Sequence, residues 1–138
     1  MSGPFIDHVG IIVEDLHASL GLFERLFGMR PDTVKEMPDA GLKIAHLRAQ
    51  NVGIELIQYT RKGCFGEKVM GARKGLNHLS FHVEDIDSSL KDWQEKGIHV
   101  MEGFPMQGSQ GPVAFFEPET TGEILLELCH HPGEGEKG

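Results

Sequence analysis

The chain has 138 residues, of which 39% are hydrophobic and 25% are charged, a balance typical of folded rather than disordered proteins. Its formal net charge of −8 argues against nucleic acid as a partner. The sequence has neither a long apolar run nor an apolar segment after Met1, so we expect a cytoplasmic protein without a membrane partner. In that setting Cys64 and Cys129 are expected to be reduced thiols.

The first half of the chain predicts a strand, a helix and three further strands. Apolar residues alternate in DHVGIIVED, residues 7–15, as they do in a half-buried strand. Apolar residues at helical spacing follow, with Asp15 placed to cap the helix and Gly28 placed to end it. The three later strands are expected at about 32–36, 42–49 and 52–59.

A basic segment, RKGCFGEKVMGARKG, follows at residues 61–75. Its five basic residues against one acidic residue give it a net charge of +4. We expect a solvated linker, with a site for an anionic ligand such as a phosphate-bearing substrate as the alternative.

The second half of the chain repeats the first. Residues 7–20 align with residues 77–90 at a constant offset of 70, and six of the fourteen positions are identical. A helix ending at Gly97 is predicted next. Three strands are then expected at about 98–103, 112–117 and 123–130. The fold class is therefore α+β, with two βαβββ modules.

These patterns also set the expected domain organisation. Module one covers about 5–60, the basic linker covers 61–75, and module two covers about 76–130. Together they make a single domain, residues 1–132, followed by a disordered tail at 133–138.

Strand alternation assigns two histidines and two glutamates to one kind of surface. Side chains of a strand point alternately to its two faces, and the apolar face of each first strand must pack on the helix. His8 and His78 then point away from the helices. The same reasoning places Glu55 and Glu127, each between apolar residues of a last strand, on that opposite face.

These four side chains predict a metal site. If the first and last strands of each module are neighbours, and the mixed sheets curl toward each other, the four converge in a cleft. Nitrogen and oxygen ligands suit one divalent ion such as Co, Mn, Ni, Zn or Fe, and suit Mg less well. A single such His or Glu is usually structural, but the recurrence of both at repeat-equivalent positions favours a metal.

From about Phe5 to Cys129 the sequence resembles the vicinal oxygen chelate superfamily, which includes glyoxalases, methylmalonyl-CoA epimerases, ring-cleaving dioxygenases and antibiotic-resistance proteins. The resemblance implies metal ligands at the four positions derived above. GLNHLSFHVEDI (75–86) and GPVAFFEPETTGEILLEL (111–128) resemble methylmalonyl-CoA epimerases in particular. The chain departs from that pattern on the strand at 42–49, where Ile44 replaces an acid/base glutamate.

The resemblance implies proton transfer at a carbon next to a carbonyl, with an acyl-CoA as substrate. Glu127 would be the base, and His46, two residues after the missing glutamate, is our candidate for the second acid/base, with His82 as a weaker one. Arg73 and Lys74 would bind the phosphates of coenzyme A. The resemblance also implies a homodimer, with the modules paired either within one chain or across the dimer.

Three other functions stay open. The first is that of a glyoxalase I-like lactoylglutathione lyase, which isomerises a hemithioacetal. The second is an Fe(II) dioxygenase, although that class usually has two His and one Glu as ligands and a longer chain. The third is a non-catalytic protein that binds small molecules and needs no metal.

Overall fold

The computed structural model describes residues 3–131, which divide into two compact units. One unit runs from His8 to Asn77, and the other holds the described residues on either side of that segment. The first unit covers most of predicted module one together with the basic segment, whereas the described residues before His8 group with the second unit. The tail expected at 133–138 lies outside the described residues, and a single domain over 1–132 stays a prediction.

The predicted strand–helix–three-strand module lies in the first unit, apart from the residues of its first strand that precede His8. Its elements are β1 (Phe5–Ile12), α1 (Leu16–Phe27), β2 (Thr33–Met37), β3 (Leu42–Arg48), β4 (Gly53–Tyr59) and a short α2 (Phe65–Met70). The strand order is β2-β3-β4-β1, with β1 parallel to β4 and the other pairs antiparallel. The first and last strands are therefore neighbours, as the metal-site argument requires.

Helix α1 begins and ends where the sequence predicts. The Asp15 carboxylate accepts a hydrogen bond from the backbone N–H of Ala18, and Gly28 takes the left-handed conformation at φ 67°. Both features satisfy backbone groups that a helix end leaves unpaired.

The second unit repeats this arrangement with shorter strands. Its elements are β5 (Gly75–His82), α3 (Ile86–Glu95), β6 (Met106–Gln107), β7 (Pro112–Phe115), a 3₁₀ turn (Pro118–Thr120) and β8 (Leu126–Cys129). From His78 onward the strand order is β5-β8-β7-β6, again with the first and last strands parallel. The α+β class, the two βαβββ modules and the mixed sheets are confirmed.

Two predictions of local structure are wrong. The strand expected at about 98–103 is reduced to one bridge between Val100 and Phe116, because a turn closes between Met101 and Phe104 and Gly103 adopts a φ of 91°. The basic linker is not a plain loop, because it contains α2, whose Glu67 carboxylate accepts a hydrogen bond from the N–H of Gly63.

The helix-facing side of each sheet forms an apolar core. In the first unit Leu16 of α1 packs with Ala45, Leu47 and Leu56, as the alternation predicts. In the second unit Ile86 of α3 packs with Ala114, Phe116 and Leu128. Polar residues of the same strands must therefore occupy the opposite face.

Among the described residues, no helix combines the length and apolar character needed to cross a bilayer.

Tyr59, at the end of β4, ties α2 to the sheet. Its hydroxyl donates a hydrogen bond of 2.6 Å to the carbonyl of Gly71, just beyond the helix. Burial raises the pKa of this phenol above its ordinary value, and the nearby Cys64 and Glu67 raise the pKa further. The neutral form is thus held into the alkaline range.

Tyr59 is the chain's single tyrosine, so its ionisation can be followed alone by phenolate absorbance. We expect a midpoint above 10.0 in the folded protein and near that value in denaturant. Because the folded-state pKa is the higher one, the stability linked to Tyr59 is complete below pH 10.0 and is lost as the pH rises toward the folded value. Glu67→Gln should lower the midpoint. Equal midpoints in the folded and unfolded protein would contradict this account.

Candidate metal centre

The first His–Glu pair lies on β1 and β4, on the face away from α1. The parallel register sets Gly10 beside Glu55, one strand alternation from His8. His8 Nε2 lies 3.2 Å from Glu55 Oε1, and the two residues are 4% and 8% exposed. An imidazole and a carboxylate that are buried together in this way form a ready nitrogen–oxygen ligand pair.

His46 completes the surroundings of this carboxylate. It lies opposite Glu55 in the β3–β4 register, and its Nε2 is 3.2 Å from Glu55 Oε2. Its Nδ1 is 2.8 Å from the hydroxyl of Thr33. Because a carboxylate only accepts, Nε2 carries the hydrogen, and in the neutral ring the Thr33 hydroxyl donates to Nδ1. The structure therefore places His46 beside the first pair, while its acid/base role stays a prediction.

Ile44, at the position where the epimerase pattern has its glutamate, serves a different purpose. It is buried with Ile12, Leu42 and Ile57 in an apolar cluster on the same sheet face as His46. Next to the first His–Glu pair, this sheet face is therefore hydrophobic, and the position of Ile44 offers no ionisable group.

The second His–Glu pair repeats the first on β5 and β8. His78 Nε2 lies 3.5 Å from Glu127 Oε1, and both residues are 5% exposed. Phe115 lies opposite Glu127 in the β7–β8 register, and its ring meets His78 edge-on at 5.1 Å. Phe115 thus holds in module two the position that His46 holds in module one.

Ser80 is a polar residue that sequence reasoning missed. It lies beside Glu127 in the register, is fully buried, and within the described residues its hydroxyl has no hydrogen-bond partner. An unsatisfied buried hydroxyl lowers the stability of the folded state by about 1–3 kcal/mol. Such a group is rare in folded proteins, and a ligand bound beside Glu127 would give the hydroxyl a partner. The sequence did contain a signal for it, because Ser80 is two residues after His78 on β5 and therefore shares its strand face.

The remaining candidates lie outside both pairs. Arg73 and Lys74 are exposed, and Lys74 Nζ is 3.6 Å from the carboxylate of Glu14. His82 lies at the end of β5, with its Nε2 3.1 Å from Glu84 Oε2. Their predicted roles must therefore be argued separately from the two pairs.

The donor set fits a divalent metal on chemical grounds. Each unit buries one imidazole nitrogen beside one carboxylate oxygen, on the sheet face that the helix does not cover. Burying a carboxylate is costly unless donors or a cation face it. The same costly pair occurs twice at repeat-equivalent positions, as a ligand set would require.

Comparison with known proteins identifies the family. The family model described as Glyoxalase/Bleomycin resistance protein/Dioxygenase superfamily matches residues 7–115. The chain belongs to this superfamily. The prediction from the motifs is confirmed, and methylmalonyl-CoA epimerases are among the relatives.

Individual relatives cover almost the whole chain. The Cereibacter sphaeroides ethylmalonyl-CoA/methylmalonyl-CoA epimerase is 30% identical over 129 residues, which is 89% of this chain and 95% of that protein. The uncharacterized Bacillus subtilis protein YqjC is 28% identical over 137 residues, which is 94% of each chain. A single-substitution variant of Streptomyces coelicolor methylmalonyl-CoA epimerase, in complex with 2-nitronate-propionyl-CoA, is 26% identical, with a TM-score of 0.83 over 94% of this chain and 95% of that one.

The hydrogen bond between Thr33 and His46 can be tested by Thr33→Val, which keeps the shape and removes the hydroxyl. Loss of the partner of a buried ring nitrogen should lower the free energy of unfolding in urea by about 1–3 kcal/mol. Thr60→Val, at an exposed position, is the matched control. If both variants are as stable as the parent, the bond contributes nothing.

Proposed function

We propose that this protein is a divalent-metal-dependent epimerase that moves a proton at the carbon next to the thioester carbonyl of an acyl-CoA, as in methylmalonyl-CoA. The observation behind the proposal is the buried His–Glu pair that occurs once in each module. The epimerase relatives support the reaction class and the acyl-CoA substrate.

The proposed metal ligands are His8 and Glu55 of module one with His78 and Glu127 of module two, around one ion in the predicted cleft. Mixed nitrogen and oxygen donors suit Co, Mn, Ni, Zn or Fe. When bound, such an ion would act as a Lewis acid that stabilises negative charge on the substrate carbonyl oxygen.

Glu127 is the proposed base, and the difference between the modules supports this choice. Both oxygens of Glu55 face imidazole nitrogens, those of His8 and His46, so this carboxylate is engaged on both sides. Opposite Glu127 lies Phe115 instead of a histidine. The Glu127 carboxylate would take the proton from the α-carbon as the C–H bond breaks.

Epimerisation also requires a proton donor for the other face of the carbon. His46 is the proposed donor, because it is buried on the sheet face of His8 and Glu55 and its Nε2 lies 3.2 Å from Glu55 Oε2. Thr33 holds the ring from its other nitrogen. As the imidazolium, His46 would give its Nε2 proton to the new C–H bond and return to the neutral ring. Exchange with solvent would then remove the proton that Glu127 took and restore the one that His46 gave, so the step balances.

The reaction is tested by incubating metal-loaded protein with methylmalonyl-CoA in D₂O and following deuterium at C2 by mass spectrometry. We expect exchange that requires enzyme and metal and falls at least about a hundredfold in Glu127→Gln, because general-base catalysis contributes at least that much. Glu95→Gln, an exposed glutamate of α3, should exchange like the parent.

Other results would assign other functions. Bound metal without exchange would reject the epimerase and make the hemithioacetal of a glyoxalase-like lactoylglutathione lyase the next substrate to test. If purified protein takes up no metal at all, both enzymes are rejected and a non-catalytic binding protein remains.

We propose Arg73 and Lys74 as contacts for the phosphates of coenzyme A, because they lie in the basic segment and are exposed. Reversing both charges, Arg73→Glu with Lys74→Glu, should raise KM for the acyl-CoA about tenfold with little change in kcat, since each exposed contact contributes about 1 kcal/mol or less.

The control is the double reversal Lys62→Glu with Lys68→Glu. It changes the charge of the same segment by the same amount at two other exposed positions. Equal effects of the two double variants would attribute the change to net charge and remove the assignment. We further propose that the protein is a homodimer in the cytoplasm. Sedimentation equilibrium measures the oligomeric state.

A further inference from the structure

Each module has a surface pocket at the start of its helix, and the two pockets are repeat-equivalent. The pocket of the first unit is about 540 Å³ and is lined by Glu14, Asp15, Lys43 and Gln58 among others. The pocket of the second unit is about 490 Å³ and has Glu84, Asp85, Asp87 and His130 in its lining. The lining of the first pocket can therefore be compared, position by position, with that of the second.

In the second unit three potential metal ligands cluster beside this pocket, and two of them belong to its lining. They are His82 at the end of β5, Glu84 two residues later, and His130 just beyond β8. One ligand atom from each lies within 4.8 Å of the other two. The rings of His82 and His130 are stacked, with centroids 5.5 Å apart and planes at 29°.

Hydrogen bonds prepare these side chains to bind a cation. His130 Nδ1 is 3.0 Å from the carbonyl of Val83, which can only accept, so Nδ1 carries the hydrogen and Nε2 presents a lone pair. A backbone carbonyl is a common partner for the second nitrogen of a metal-binding histidine. His82 Nε2 shares a hydrogen with Glu84 at 3.1 Å, and a metal ion can replace that hydrogen.

His131 lies next to the cluster but does not join it. Its Nε2 is 2.9 Å from Asp7 Oδ1 and its Nδ1 is 3.2 Å from the carbonyl of Gln110, so both nitrogens are engaged by oxygen acceptors. Its ring stacks on His82 with centroids 6.1 Å apart. The Asp7 carboxylate offsets any positive charge that this ring places beside the cluster.

The charges of the two pockets point to a cation in module two only. Three carboxylates line the second pocket, and none of its lining residues is lysine or arginine. In the first pocket Lys43 is part of the lining and Lys74 lies 3.6 Å from the carboxylate of Glu14. The residue equivalent to His130 is Gln58, whose amide oxygen accepts from the N–H of Leu16.

We propose that His82, Glu84 and His130 form a second divalent-metal site, selective for imidazole-binding ions such as Zn²⁺, Ni²⁺ or Cu²⁺. It is separate from the pair formed by His78 and Glu127, because four residues of a strand place His82 about 13 Å beyond His78. The bound ion would join the end of β5 to the chain leaving β8.

The test measures Zn²⁺ bound per chain by equilibrium dialysis, using untagged full-length protein and Zn²⁺ alone as the probe. His130→Gln gives module two the residue type that module one has at this place. We expect this variant to bind one ion fewer per chain than the parent, whatever number the parent binds. Glu84→Gln, at an exposed side chain, should lower the affinity for the same ion at least about tenfold, because it removes a proposed ligand.

The matched control is His99→Gln, another histidine of the second unit whose side chain is 60% exposed. It should bind as many ions as the parent. The proposal is overturned if His130→Gln and Glu84→Gln bind Zn²⁺ with the number and affinity of the parent, or if His99→Gln loses as much. Deuterium exchange at C2 should be unchanged in His130→Gln, so failure of this site is distinguishable from failure of the proposed reaction.

Discussion

A buried carboxylate is stable in a protein only when donors or cations face it, and this constraint organises both modules. Glu55 and Glu127 lie in the middle of last strands whose neighbouring residues must pack on a helix. Strand alternation then forces each carboxylate onto the other face, where a parallel first strand brings a histidine to it. The helix core and the polar pairs are thus two results of one alternation.

The duplication makes differences between the modules informative. Module one has Gly10 beside its glutamate, whereas module two has the buried hydroxyl of Ser80. His46 lies opposite one glutamate and Phe115 opposite the other. A purely structural duplication has no need for such polar differences at a buried position. They are the kind of asymmetry that distinct chemical roles for two related carboxylates would produce.

Local patterns made much of this predictable from the sequence. The helix caps at Asp15 and Asp85 depend only on residues of the first helical turn. The sheet face of each His and Glu depends only on the alternation within its own strand. The strand expected near 98–103 failed because the closing turn at Gly103 outweighed the local apolar residues. Helix α2 was missed because six residues carry too little periodicity to predict a helix.

Side-chain contacts that depend on strand register could not be predicted in this way. Thr33 reaches His46 only through the register of the β2–β3 hairpin, and His130 reaches His82 only through the parallel pairing of β5 with β8. Neither relation leaves a signal in residue spacing. Both emerge once the strand order is known, which is why these polar clusters appear first in the structure.

The most direct test of the central claim is a crystal structure of the Co(II)-loaded protein with anomalous scattering measured at the cobalt edge. The account predicts a cobalt peak within bonding distance of His8, Glu55, His78 and Glu127, whether the modules pair within a chain or across a dimer. Cobalt-loaded crystals with no anomalous peak at either His–Glu pair would contradict it.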